Sequence, residues 1–150
     1  MISIIIRARD EERWLPACLA GLRRQTRQDF ETILVDNNSR DSTVQIAEAQ
    51  GAKIVPVEKF YPGKAINLGI RNSVGEIIVC LSAHCIPRDE NWLECLVRDL
   101  VDPSVAGVYG RQQPMAFSSD ADKRDLLTVF GLDRKIQIKD SFFHNANSAF

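Results

Sequence analysis

The chain lacks a charge excess of either sign: 19 Lys and Arg stand against 20 Asp and Glu, a net charge of −1 over 150 residues. That argues against a protein held to nucleic acid by phosphate electrostatics, which carries a strong basic surplus. The short run Arg23-Arg24-Gln25-Thr26-Arg27 reads instead as a solvated helix end, where cations suit the dipole. No apolar run approaches the ~20 residues of a membrane span. The opening Met1-Ile2-Ser3-Ile4-Ile5-Ile6 has no basic leader and runs straight into Arg7, so it is not a secretory signal either. Four cysteines, Cys18, Cys80, Cys85 and Cys95, form no C-x-x-C pair. Cys18 and Cys95 fall on apolar helical stripes and Cys80 in a strand-like run, where a thiol acts as a small hydrophobe. A reduced, cytoplasmic chain is expected. Two glycine motifs are missing as well. Without G-x-G-x-x-G or G-x-x-x-x-G-K-[ST], a nucleotide here must be held by side chains.

What is present is a globular composition, 45% hydrophobic and 26% charged. A chain of this length buries ~70% of its unfolded surface and needs no staple. Residues 1–150 read as one domain without repeat or linker. Ile2–Ile6, Thr32–Val35 and Glu76–Leu81 are continuous apolar runs, the pattern of strands buried on both faces of a parallel sheet. Lys53–Val57 is a third strand in chain order, and Pro56 puts it at an edge. Between them lie a helix with Leu15, Cys18, Leu19 and Leu22 on one face, Pro16 in its first turn, and a second helix capped by Asp41 or Ser42 and stopped by Gly51. A third helix covers Gly63–Ser73. Asp89 is placed to cap a fourth carrying Trp92, Leu93, Leu96 and Leu100. Val105–Tyr109 reads as a strand, Leu126–Phe130 as a short helix and Phe142–Phe150 as a last strand. The alternation makes an α/β fold with a mainly parallel sheet flanked by helices.

Polar residues interrupt the apolar strands at their carboxyl ends. The first strand runs into Arg7-Ala8-Arg9-Asp10-Glu11-Glu12, the second into Asp36-Asn37-Asn38-Ser39-Arg40-Asp41, the fourth into Ser82-Ala83-His84-Cys85. In a parallel sheet those ends share one edge, where ligands of open α/β sheets bind. Asp36 or Asn37 is suited to a base or ribose, and Lys64 to a phosphate. Arg7 and Arg9 can pair with a diphosphate or with neighbouring acids. Asn67 lies on the same helix as Lys64.

These blocks, with Gln25-Thr26, Gly63-Lys64-Ala65-Ile66-Asn67-Leu68-Gly69-Ile70 and Gly75-Glu76-Ile77-Ile78-Val79, resemble in order the N-terminal half of family 2 glycosyltransferases. The resemblance implies a GT-A, Rossmann-related fold and a nucleotide-diphosphate sugar donor. It also implies a glycan or lipid-linked acceptor, polysaccharide assembly, and a divalent metal, Mn²⁺ or Mg²⁺. Asn145-Ala146-Asn147-Ser148 is similar to the segment shaping the acceptor side, which makes Asn145 and Asn147 acceptor-side candidates. Nucleotide-side candidates are then Arg7, Arg9, Asp36, Asn37, Lys64, Asn67 and Ser82.

Two positions depart from the family pattern. The metal loop, D-x-D in the family, reads Ser82-Ala83-His84, so His84 is the metal-ligand candidate and the hard oxygen ligands that Mg²⁺ prefers are gone. A zinc site from Cys80, His84 and Cys85 is the weaker alternative. The second acid after strand two is Asn37. The family's base sits in a Glu-Asp pair downstream of Asn-Ala-Asn-Ser, so the catalytic base is expected beyond Phe150 and residues 1–150 alone are expected to be inactive. The expected placement is cytoplasmic or peripheral to the inner membrane face, with no nucleic-acid partner and with an oligomer left open. The rival readings are a non-catalytic nucleotide-sugar module and a protein acting through protein contacts alone.

Overall fold

The computed structural model describes residues 1–138 and 143–150. Its six strands are β1 (Ile2–Ala8), β2 (Phe30–Asp36), β3 (Lys53–Pro56), β4 (Ile77–Ser82), β5 (Val108–Tyr109) and β6 (Asn147–Ala149). They form one sheet in the order β3-β2-β1-β4-β6-β5. β3, β2, β1 and β4 are mutually parallel, while β6 runs antiparallel between β4 and β5. The helices are α1 (Leu15–Arg23), α2 (Thr43–Ala49), α3 (Pro62–Arg71), α4 (Trp92–Val97), continued by a 3₁₀ turn at Arg98–Val101, and α5 (Asp120–Phe130).

Topology follows from the handedness of the crossovers. The chain steps outward from β1 to β2 to β3, with α1 and α2 on one face, then jumps back to β4 on the other side of β1. A right-handed crossover in the reversed direction must carry α3 across the opposite face. Packing agrees with this. Ile4, Ile6, Leu34, Val79 and Leu81 meet Leu15, Leu19, Leu22, Ala47, Leu93 and Leu96 on one side. Ile5, Ile33, Val35 and Cys80 meet Ala65 and Ile66 of α3 on the other. Strands buried on both faces need apolar residues at every position, and each buried Ile or Leu contributes about 1.5–3 kcal/mol.

The boundaries refine the sequence reading in a few places. Pro56 does lie on the edge strand, and Gly51 adopts φ +77° after α2. At the start of α2 it is Asp41, not Ser42, whose carboxylate accepts the Thr43 N–H at 3.0 Å. Asp89 accepts from Asn91 N, in the turn before α4, rather than capping the helix. β5 keeps only two residues, because Val105 N is already bonded to Asp102 O in a turn. α5 starts six residues earlier than Leu126, since Ser119 Oγ accepts the Asp122 N–H. Of the expected strand at 142–150 the sheet keeps Asn147–Ala149, and Phe142 lies outside the described residues. Cys95 is exposed, so it is not part of the apolar stripe of α4.

Gln25 departs most from a solvated helix end: it is 3% exposed. Its Nε2 donates to Gly21 O and Asp89 O, and its Oε1 accepts Leu93 N at 2.8 Å. One buried amide thereby ties the end of α1 to the start of α4.

α3 approaches the sheet through Gly69. A methyl group there would lie 2.6 Å from Ile5 Cγ2 and 3.1 Å from Val35 Cγ2. Alanine gains about 1 kcal/mol of helix propensity, but overpacking a closed core costs about 1–3 kcal/mol. Gly69→Ala is therefore expected to lose up to about 2 kcal/mol net in urea unfolding. A gain in stability, the full helix-propensity benefit without a packing cost, would show that α3 does not seat against Ile5.

Candidate functional site

The reversal after β3 places the topological switch point between β1 and β4, and ligands of open α/β sheets bind outside the strand ends at such a point. Arg7 and Ser82 are register partners across it. Alternation along β1 and β4 puts both on the α3 face, since Ile5 and Cys80 two residues earlier lie there. Asp36 ends β2 level with Ala8 of β1.

The loops after β1 and β2 are joined by side-chain-to-backbone hydrogen bonds in both directions. Asp10 N donates to Ser39 Oγ, and Arg40 N donates to Asp10 Oδ1 at 2.7 Å. Glu12 N donates to Asp41 Oδ2, and Ser42 N donates to Glu12 Oε2. Glu11 N donates to Thr43 Oγ1 at 2.7 Å. Asp10 and Asn38 both take φ +54°, a conformation that short polar side chains tolerate. Partial desolvation opposes the Asp41 carboxylate, but hydrogen bonds from Thr43 and from the Glu12 and Thr43 backbone outweigh it and hold its pKa below the ordinary value.

Around this frame stand the predicted residues. Asp36 is 7% exposed and accepts the Ser39 N–H with both oxygens at 3.2–3.3 Å. Asn37 N donates to Ala8 O. Lys64, in the first turn of α3, lies 4.9 Å from the Tyr61 ring centroid. Asn67 is exposed on the same helix. Arg7 donates to Asn145 Oδ1 at 3.1 Å, which brings a nucleotide-side and an acceptor-side candidate together. Arg9 is exposed and 3.7 Å from Asp10. Asn147 is buried in β6, where its Oδ1 accepts from Trp92 Nε1.

His84 is exposed yet held at both ring nitrogens. Nδ1 is 2.9 Å from Glu11 Oε1 and Nε2 is 3.1 Å from Ser82 Oγ. Sequence reasoning missed Glu11 as this partner. A cleft of about 400 Å³ lies away from all of these residues, at the amino ends of β2 and β3, lined by Leu19, Leu22, Phe30, Gln50 and Lys53. None of the sequence-predicted site residues lines it, so the carboxyl edge is the functional candidate.

Residues 3–150 match the model of the family described as glycosyl transferase family 2. The chain belongs to that family. Among curated relatives it is 34% identical over 119 residues to 4,4'-diaponeurosporenoate glycosyltransferase of Staphylococcus haemolyticus, covering 75% of this chain and 29% of that protein. It is 28% identical over 117 residues to the O-antigen chain rhamnosyltransferase RfbN of Salmonella typhimurium, covering 75% and 37%. The chain thus spans well under half the length of these two relatives. A mannosyltransferase from Pyrobaculum calidifontis, solved with GDP-Man and Mn²⁺, superposes with a TM-score of 0.74 at 21% identity, covering 99% of this chain and 44% of that one. The shared architecture is the GT-A fold.

The donor set of this family 2 chain does not fit a hard divalent cation. Mg²⁺ and Mn²⁺ favour several oxygen ligands. At the end of β4 stand a hydroxyl, a methyl and an imidazole. Among the described residues no group of three or more His, Cys, Asp or Glu comes together. The zinc alternative fares no better: among the described residues Cys80, His84 and Cys85 do not gather into a group that could hold a metal. Burial pushes the Cys80 and Cys85 thiols up to about 11 and Cys18 up to about 12.

Thiolate, not thiol, is the reactive form. A disulfide-exchange reagent near pH 8, close to the ordinary thiol pKa of about 8.5, is expected to label exposed Cys95 quickly, half-buried Cys85 more slowly, and buried Cys18 and Cys80 only on unfolding. Cys95→Ser should remove the fast phase. Fast labelling of Cys18 or Cys80 would contradict their placement.

Proposed function

We propose that residues 1–150 form one donor-binding unit of a glycosyltransferase that moves a sugar from a nucleoside diphosphate to a glycan or lipid-linked acceptor. The observation that carries this is the convergence of Asp36, Arg7, Ser82 and the start of α3 on the switch point. The buried Asp36 carboxylate is already oriented by Ser39 N–H, and it offers remaining acceptor sites to a base or ribose, with Asn37 beside it. Lys64 and Arg7 take the diphosphate, with Arg9 at the rim and Asn67 and Ser82 as hydrogen-bonding neighbours. Asn145 faces the acceptor, while Asn147 supports that side through Trp92.

The chemistry is a direct displacement with inversion. The acceptor oxygen bonds to the anomeric carbon as the bond to the diphosphate breaks, and a base removes the hydroxyl proton. Arg7 and Lys64 stabilise the charge that develops on the leaving diphosphate. Asp10, Glu12 and Asp41 are engaged between the two loops and Glu11 with His84, so we assign the base to none of them. The setting is cytoplasmic polysaccharide or glycan assembly, at or near the inner membrane face. Among the described residues no helix is long and apolar enough to cross a membrane. The absence of paired acids at Ser82-Ala83-His84 favours a second reading, a nucleotide-sugar-binding module without transfer. Product formation from a nucleotide sugar separates the two.

Binding can be read without knowing the acceptor. A nucleoside diphosphate at ~100 times its Kd is expected to stabilise the chain by ~2.7 kcal/mol. Asp36→Ala and Lys64→Ala should each weaken binding by about 1.5–3 kcal/mol, the range for a hydrogen bond to a charged group. If UDP, GDP and dTDP at millimolar concentration all leave Tm unchanged, the donor-site reading is wrong.

A further inference from the structure

The groups at the end of β4 and the cations around them point to the same conclusion from opposite sides. A metal would need the His84 Nε2 lone pair, yet that nitrogen faces Ser82 Oγ at 3.1 Å. The other ring nitrogen faces Glu11 Oε1 at 2.9 Å. Among the described residues Glu11 is the carboxylate hydrogen-bonded to this loop, and it is already engaged. Ala83, the middle residue of the loop, contributes a buried methyl group and no ligand atom.

Some surface cations are paired, Arg27 with Asp29 and Glu94 and Arg134 with Asp99. Others are not, and two of these stand at the carboxyl edge: Arg7 meets the neutral amide of Asn145, and Lys64 the ring of Tyr61, as Lys59 also does. Among the described residues neither Arg7 nor Lys64 lies within ion-pair distance of a carboxylate. Arg7 sits at the end of β1, level with Ser82, and Lys64 opens the helix that packs on the same sheet face. A guanidinium offers a fork of donors that matches phosphate oxygens, and an ammonium acts as a point charge.

We propose that this chain binds the diphosphate of its donor without a divalent cation. Arg7 and Lys64 supply the positive charge. His84, held by Glu11 at Nδ1 and by the Ser82 hydroxyl at Nε2, fills the metal position without offering a ligand. The inference rests on the donor-site reading above and goes beyond it by stating how the anion is neutralised.

Titration calorimetry of UDP and GDP against the wild-type chain, once in EDTA and once in millimolar Mn²⁺, tests it. Metal-free binding is expected, with Kd values in the two buffers agreeing within about threefold, less than half a decade of affinity. Arg7→Gln and Lys64→Gln should each weaken the metal-free binding by roughly tenfold to a hundredfold, as loss of a charge-assisted contact does. The double variant Ser82→Asp/His84→Asp installs paired carboxylates and should reverse the behaviour, weakening binding in EDTA and gaining from Mn²⁺. Binding by wild type that is tightened tenfold or more by Mn²⁺ would overturn the inference while leaving the donor site in place. Binding in neither buffer would remove the donor-site reading, and this inference with it. If the double variant does not fold, the wild-type comparison still decides.

Discussion

The loops that follow β1 and β2 hold one another in place, and the rest of the site depends on that interlock. Asp10, Glu12 and Asp41 each accept a backbone N–H from the opposite loop, and Ser39 and Thr43 do the same with their hydroxyls. Such bonds satisfy backbone groups that neither sheet nor helix can reach at a strand end. They also convert two polar loops into one shaped wall. The acids concerned are thereby engaged in holding the wall, and beside it stand Asp36, Arg7, Lys64 and the Ser82–His84–Glu11 line, to which the donor-binding proposal is addressed.

The sheet supplies the second constraint. Reversal of the crossover direction after β3 sends α3 to the opposite face and leaves β1 and β4 adjacent but diverging in connection. Arg7 and Ser82 are register partners at that switch point, so position on the sheet decides which polar residues stand there. Gln25 and Asn147 work on the same principle from below. Each is a buried amide, the first fixing α4 through Leu93 N and the second through Trp92 Nε1. Together they hold the antiparallel edge of the sheet against its parallel half.

Much of this was legible in the sequence. Continuous apolar runs gave the parallel strands and Pro56 the edge strand, and polar interruptions at strand ends mark the edge at which the donor site is proposed. Those signals are periodic or compositional, and burial on both sheet faces leaves little freedom to misread them. What stayed hidden has no period. β6 is three residues long and pairs antiparallel between β4 and β5, a partnership between distant segments. Gln25 looked solvated because it follows two arginines, yet its amide matches three backbone groups that only the folded chain brings together. Glu11 stands 73 residues from His84, and nothing local announces their contact. The Arg7–Asn145 contact is equally remote, at 138 residues. Domain extent and the roles of individual site residues rest on such contacts, and so on binding experiments.

The central claim is that a nucleotide occupies the carboxyl edge over β1 and β4. Amide chemical-shift mapping of the labelled chain with UDP or GDP addresses it directly. Occupancy of that edge predicts the largest changes at Arg7–Glu12, Asp36–Asp41, Lys64 and Ser82–Cys85, with the amino edge unmoved. Changes centred instead on Leu19, Phe30, Gln50 and Lys53, around the cleft at the amino ends of β2 and β3, would contradict it.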